Sequence, residues 1–183
     1  MPTTDFPAAF AALREILARH AGGMIVVADT STTFTVSSPA MVQKDKPLFF
    51  GCVTLMKSAV TYHLFPLYFN PKLQAAVPAE LRPRKQGKTC FNFKRPDAAL
   101  FAQIDVLTGL AREAFERHGF LEAGMIAPER FNAALRAGGE DPEAIATMRK
   151  AKGKEAARKR AGTIKKKAAA RPGATKRTRA AAK

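Results

Sequence analysis

The last 35 residues, 149–183, hold 15 basic residues, one acid (Glu155) and one large apolar residue, Ile164. Such a segment cannot bury enough apolar surface to offset chain entropy, so it is expected to be disordered when free. A fold must therefore be sought in residues 1–148, which carry 16 basic and 14 acidic residues and are nearly neutral. The whole chain of 183 residues has a formal charge of +16. Cys52 and Cys90 are the only cysteines, which excludes a disulfide-stapled miniprotein. They read as reduced packing residues, the cytosolic case. No apolar run approaches the ~18 residues of a membrane span. The first 20 residues are amphipathic and carry Asp5 and Glu15, unlike a secretory signal. A cytoplasmic protein is expected.

Phe6, Phe10, Leu13 and Leu17 recur at helical spacing and predict a helix over about 6–20, ended by Gly22-Gly23. Residues 24–37 read as a hairpin around Asp29-Thr30-Ser31. Residues 48–56 are apolar on both faces and predict a central strand. Residues 59–69 are again strand-like, with Pro66 late, where it suits an edge or bend. Asn70-Pro71 caps a short helix over 71–77, and a second begins near Pro78. Thr89 to Lys94 predicts a last strand. A helix over 97–118 is predicted from Leu100, Ile104, Leu107, Ala111, Ala114 and His118, with Gly119 at its left-handed stop. This is an α+β pattern: a two-layer sandwich, an antiparallel sheet of about five strands with helices packed on one face. A helix over 128–137 follows, and Asp141-Pro142-Glu143 starts another that runs through Met148. The expected domains are thus 1–120, a helical extension 121–148 and a basic tail 149–183.

The stretches KSAVTYHLFPLYFNP (57–71) and AELRPRKQGKTCFNFK (79–94) resemble the YdhG-like domain family, catalogued without an assigned function. The resemblance covers roughly residues 6–120, and Tyr62-His63-Leu64 and Gly87 to Lys94 carry it most specifically. It implies a small intracellular α+β domain with an antiparallel sheet, and it supplies no catalytic residues. A frataxin-like iron role attached to some of the family implies an acidic ridge of hard oxygen ligands. Here helix 6–20 offers only Glu15, with Asp5 just before it. The tail lies outside the resemblance and is similar to the Lys/Ala-rich tails of linker-histone-like and nucleoid proteins.

Cations on an Ala-rich segment suit a polyanion, because phosphate neutralisation releases condensed counterions. Without Phe, Tyr or Trp the tail cannot stack on bases, and without Asn or Gln it lacks the amides that read adenine. Non-specific, nucleoid-type binding to the phosphate backbone of nucleic acid is expected. The candidate contacts are Arg149, Lys150, Lys152, Lys154, Arg158, Lys159, Arg160, Lys165, Lys166, Lys167, Arg171, Lys176, Arg177 and Arg179. Thr163, Thr175 and Thr178 lie among them, where phosphorylation would oppose binding. A membrane surface is the poorer partner, since one isoleucine is weak anchorage.

In strand 89–94, Phe91 and Phe93 fall on one face and Cys90, Asn92 and Lys94 on the other. A ligand pocket is drawn from Tyr62, Lys88, Cys90, Asn92 and Lys94, for a small ligand or a protein partner. By the same alternation either Tyr62 or His63 joins this polar set, not both, unless a bulge intervenes. His63 and Cys90 lack the paired spacings of a zinc site, and no metal or other cofactor is expected. No GxSxG, P-loop, GxGxxG or HExxH motif occurs. A non-enzymatic protein is therefore the expectation. The alternative is a small-ligand or frataxin-like iron-binding domain whose tail only adds solubility.

Overall fold

The computed structural model describes residues 4–139. Asp5 caps the first helix, α1 (Phe6–Arg19), by accepting from the Ala8 amide at 3.1 Å. Ala9, Phe10, Leu13, Ile16 and Leu17 form its buried face. Four strands follow, β1 (Ile25–Asp29), the longer β2 (Thr33–Gln43) and β3 (Lys46–Leu55), and β4 (Val60–Leu64). The turn between β2 and β3 places Asp45 at φ 58°, a left-handed value that Asp tolerates. Beyond β4 the chain forms a 3₁₀ turn (Phe65–Tyr68), α2 (Pro71–Ala75) and a 3₁₀ helix (Ala79–Arg84). A tight hairpin, β5 (Lys85–Gln86) and β6 (Cys90–Phe93), leads into α3 (Ala98–Arg117). The described chain ends with β7 (Gly124–Met125) and α4 (Pro128–Ala137).

The architecture is α+β. The sheet runs β1-β2-β3-β4-β6-β5, antiparallel throughout, with β7 added parallel to β2. The helices lie on one side of it. Seven strands replace the expected five because β5 and β7, of two residues each, are too short to show alternation. Phe34, Val53, Tyr62 and Phe91 make one cross-strand core row beneath the helices. Val60 and Phe93 belong to the next.

Three segments depart from expectation. First, β2 continues through Ser38-Pro39 to Gln43 where only residues up to 37 were expected. Its register with β3 shifts between Ser37 and Met41, so Pro39 sits at an irregularity that needs no ladder N–H. Second, strand 59–69 stops at Leu64, and Pro66 begins a 3₁₀ turn, so Tyr68 is not on a strand. Third, α3 buries Phe101, Thr108 and Phe115 besides Ile104, Leu107, Ala111 and Ala114, whereas Leu100 and His118 are only half-buried. The α4 helix is not a separate extension. It belongs to one compact unit, Met1–Pro142, and buries Ala134 and Leu135. The helix expected over 141–148 and the basic tail lie outside the described residues.

The end of α3 closes as the sequence predicts. Gly119 takes φ 63°, its amide donates to the Glu116 carbonyl at 2.7 Å, and the Phe120 amide donates to the Phe115 carbonyl at 2.8 Å. This is a Schellman closure, completed by the edge-to-face contact of Phe115 and Phe120 at 5.7 Å. A Cβ at Gly119 would also meet the mobile end of Arg130, but the backbone conformation sets the cost. Gly119→Ala should destabilise the fold by about 1–2 kcal/mol in urea unfolding, and Gly119→Asn by less. Equal stability of the alanine variant would refute the left-handed stop. None of the described helices is long and apolar enough to cross a membrane.

Candidate functional site

The face of the sheet turned away from the helices is organised by one bulge. Phe50 and Gly51 are consecutive and both buried, and the β2–β3 register shifts beside them, between Val36 and Ser37. Phe49 and Cys52 consequently both remain half-buried on the open side. Gly51 is required here, since a Cβ would lie 2.8 Å from the His63 carbonyl oxygen and 3.5 Å from Leu17. Two rows cross the open face. One is Thr35, Cys52, His63 and Cys90, and the other is Thr33, Thr54, Thr61 and Asn92.

The ligand set expected from sequence is only partly brought together. Cys90 and Asn92 share the open face. Tyr62 does not: it is fully buried on the opposite side, so its place in that pocket is corrected. His63 takes the position instead, with Nδ1 3.6 Å from the Cys90 thiol and Phe49 edge-on at 5.1 Å. Asn92 is occupied locally, accepting from the Thr61 hydroxyl at 2.8 Å and donating to Gln86 Oε1 at 2.8 Å. Thr61 and Gln86 are thus partners that strand alternation alone did not reveal. Lys88 stands in the β5–β6 turn and Lys94 just beyond the other end of β6, both exposed. The five residues therefore do not converge on one cavity.

A concavity of about 250 Å³ lies elsewhere, lined by Ala76, Pro78, Ala102, Gln103, Val106, Leu107 and Leu110. Its walls are almost wholly apolar. Cys52 and Cys90 are both free and stand on strands separated by β4. Two strand spacings amount to about 9.6 Å, beyond the ~7 Å limit between Cα atoms for a disulfide. Among the described residues no group of three His, Cys, Asp or Glu side chains is placed to hold a metal ion.

Burial pushes the His63 imidazole below its ordinary value of 6.5, and its Nε2 is buried without a hydrogen-bond partner. Burial, followed by Arg117 and Arg130, acts in the same direction on His118. The unfolded chain then binds protons that the folded chain refuses, so stability should fall as pH drops through about 6.5 towards the folded pKa values. His63→Gln should lessen the fall in urea-unfolding stability between about pH 7 and 5, leaving the share that His118 contributes. A wild-type curve level over that interval would contradict the burial of both rings.

Tyr62 is held by a directed chain. Its hydroxyl donates to Thr108 Oγ1 at 2.8 Å, and the Thr108 hydroxyl donates to the Ile104 carbonyl at 2.6 Å. Burial raises the phenol pKa far above its ordinary range, so it stays protonated. Tyr62→Phe removes one bond and should cost about 1 kcal/mol. Thr108→Val leaves the buried phenol unpartnered and should cost up to about 3 kcal/mol. Chemical denaturation of the two variants checks the order, and a costlier Tyr62→Phe would reverse the assigned direction.

The nucleic-acid contacts expected at Arg149 to Arg179 lie outside the described residues. Comparison with models of protein families, with curated proteins and with solved structures returned no match to this chain.

Proposed function

We propose that this is a non-enzymatic protein that binds nucleic acid without sequence preference through residues 149–183, and that its α+β body is akin to the YdhG-like domains. The observation that carries the reading is the partition of charge, 15 basic residues against one acid in that segment. Phosphates neutralised by Lys and Arg release counterions, a driving force indifferent to base identity. The absence of aromatic, Asn and Gln side chains from the segment removes stacking and amide-based reading of bases. The nearly neutral body adds a folded module that follows wherever the segment binds, which suits a nucleoid-associated role.

The reading is tested on the full chain purified in dilute buffer. Bound nucleic acid should show as excess absorbance at the base maximum and should leave in a high-salt wash. Material free of nucleotide from the outset, and indifferent to added random duplex, would overturn it.

A further inference from the structure

We propose that β1, the apolar outer strand of the sheet, pairs antiparallel with β1 of a second copy of this chain, so that two bodies share one continuous sheet. The inference stands apart from the nucleic-acid reading and uses none of its residues. β1 ends the sheet order, and among the described residues no strand pairs with its outer side. Such an edge presents a row of backbone N–H and C=O groups that another extended chain matches in register.

The side chains of this edge are apolar and uncovered. Ile25, Val26 and Val27 are 42 %, 50 % and 57 % exposed. Val26 lies opposite the fully buried Val36, on the helix side of the sheet, yet stays half exposed, so the helix layer stops short of β1. Val27 has no partner on β2, because the register shifts between Val26 and Ala28, and this bulge presents it to solvent. Past Ile25 the same border continues with β7, since Ile25 pairs with Ser37 and Gly124 with Ala40, while β3 takes the other side of β2. Met125 of β7 is exposed as well. The other exposed large apolar residues, Met56, Val106 and Leu110, do not lie on a strand with an open ladder.

Natural edges are blunted by brevity, charge or proline. The opposite edge, β5, is two residues long and carries Lys85. β1 has five residues, and from Ala21 to Gln43 the only charged side chain is Asp29. Two features select a second copy as the occupant. First, the segment is complementary to itself. With Val27 facing its counterpart across a two-fold axis, Val26 meets Ala28 and Ile25 meets Asp29. The two carboxylates then stand at opposite ends of the ladder, each already paired with Arg14 of its own chain. A parallel pairing would set Asp29 against Asp29. Second, β1 offers no run of charge with which to select a foreign strand, whereas a two-fold needs none. The pairing occupies both apolar edges and leaves the blunted β5 edges outermost, so the assembly closes at two chains. Each chain carries +16, so copies repel, and added salt should strengthen the pair. That dependence is opposite to the one expected for nucleic acid.

Sedimentation equilibrium of the full chain, freed of nucleic acid in high salt, reads the pairing directly. A five-residue ladder makes a small interface, so the weight-average mass should rise from one chain towards two over roughly 1–100 μM. Val27→Lys sets two ammonium groups face to face and should raise the concentration of half-pairing by about tenfold or more. Val27→Glu should do the same, and an equimolar mixture of the two variants should pair again, because opposite charges then face each other. Val106→Lys, at a comparably exposed apolar position on α3, is the control and should pair as the wild type does. A wild type that stays a single chain, pairing untouched by Val27→Lys, loss on Val106→Lys instead, or growth beyond two chains would each overturn the inference. A mixture that fails to pair would overturn the register centred on Val27. None of these outcomes bears on the nucleic-acid reading, and circular dichroism checks that each variant keeps its fold.

Discussion

Random-sequence duplex DNA should bind the full chain with an affinity that falls by ~10³–10⁵ between about 50 and 200 mM salt, if roughly six to ten phosphates are engaged. The cause is the 15 cations of residues 149–183, which have one acid among them. Neither aromatic rings nor Asn or Gln side chains add a salt-independent share of the affinity. Duplexes of different sequence should therefore give superposable titrations. A shallow salt slope, or discrimination beyond a few-fold between sequences, would mean that base contacts hold the complex.

The largest expected effect on stability is at Phe115. Its ring meets Phe50 at 5.1 Å, Phe65 at 6.5 Å, Phe69 at 5.6 Å and Phe120 at 5.7 Å. It thereby joins α3 to β3, to the 3₁₀ turn after β4 and to the segment that follows α3. Phe115→Ala removes a fully buried ring among neighbours that are themselves buried, and should cost about 3–5 kcal/mol. A domain of this kind has only about 5–15 kcal/mol in hand. The urea midpoint should therefore drop by about 1 M or more. Phe115→Leu fills most of the space and should retain a cooperative transition. A loss below about 1 kcal/mol for the alanine variant would show that these contacts do not hold the layers together.

Much of the fold is legible in local pattern. Asp5 and Asp97 cap α1 and α3, Asn70 caps α2, and Gly119 stops α3, each through a bond within a few residues. Other features depend on distant partners. Alternation along β4 admits Tyr62 or His63 to the core equally well. The choice is made by Thr108 on α3, which offers the phenol an acceptor 46 positions away. The Phe50–Gly51 bulge has no signature in a run that is apolar on both faces, so the place of Phe49 on the open side could not be read from it. The pairing of Cys90 with His63 requires β4 to lie beside β6, with β5 displaced to the edge. The basic cluster at Arg82, Arg84, Lys85 and Lys88 is visible in sequence, but its assembly along one border of the sheet is a property of chain topology.

The late pairing of β7 with β2 has a consequence for synthesis. Ala40 and Met41 wait for Gly124 and Met125, and Phe65 waits for Phe131, so the body closes only once most of its length has been translated. Residues 149–183 are made after all of these. During vectorial emergence from the ribosome, the near-neutral portion can collapse onto itself before the cationic stretch is fully exposed to attract polyanions. A circular permutant that places the cations first would forfeit this temporal ordering and expose its unfinished core to capture by ribosomal RNA.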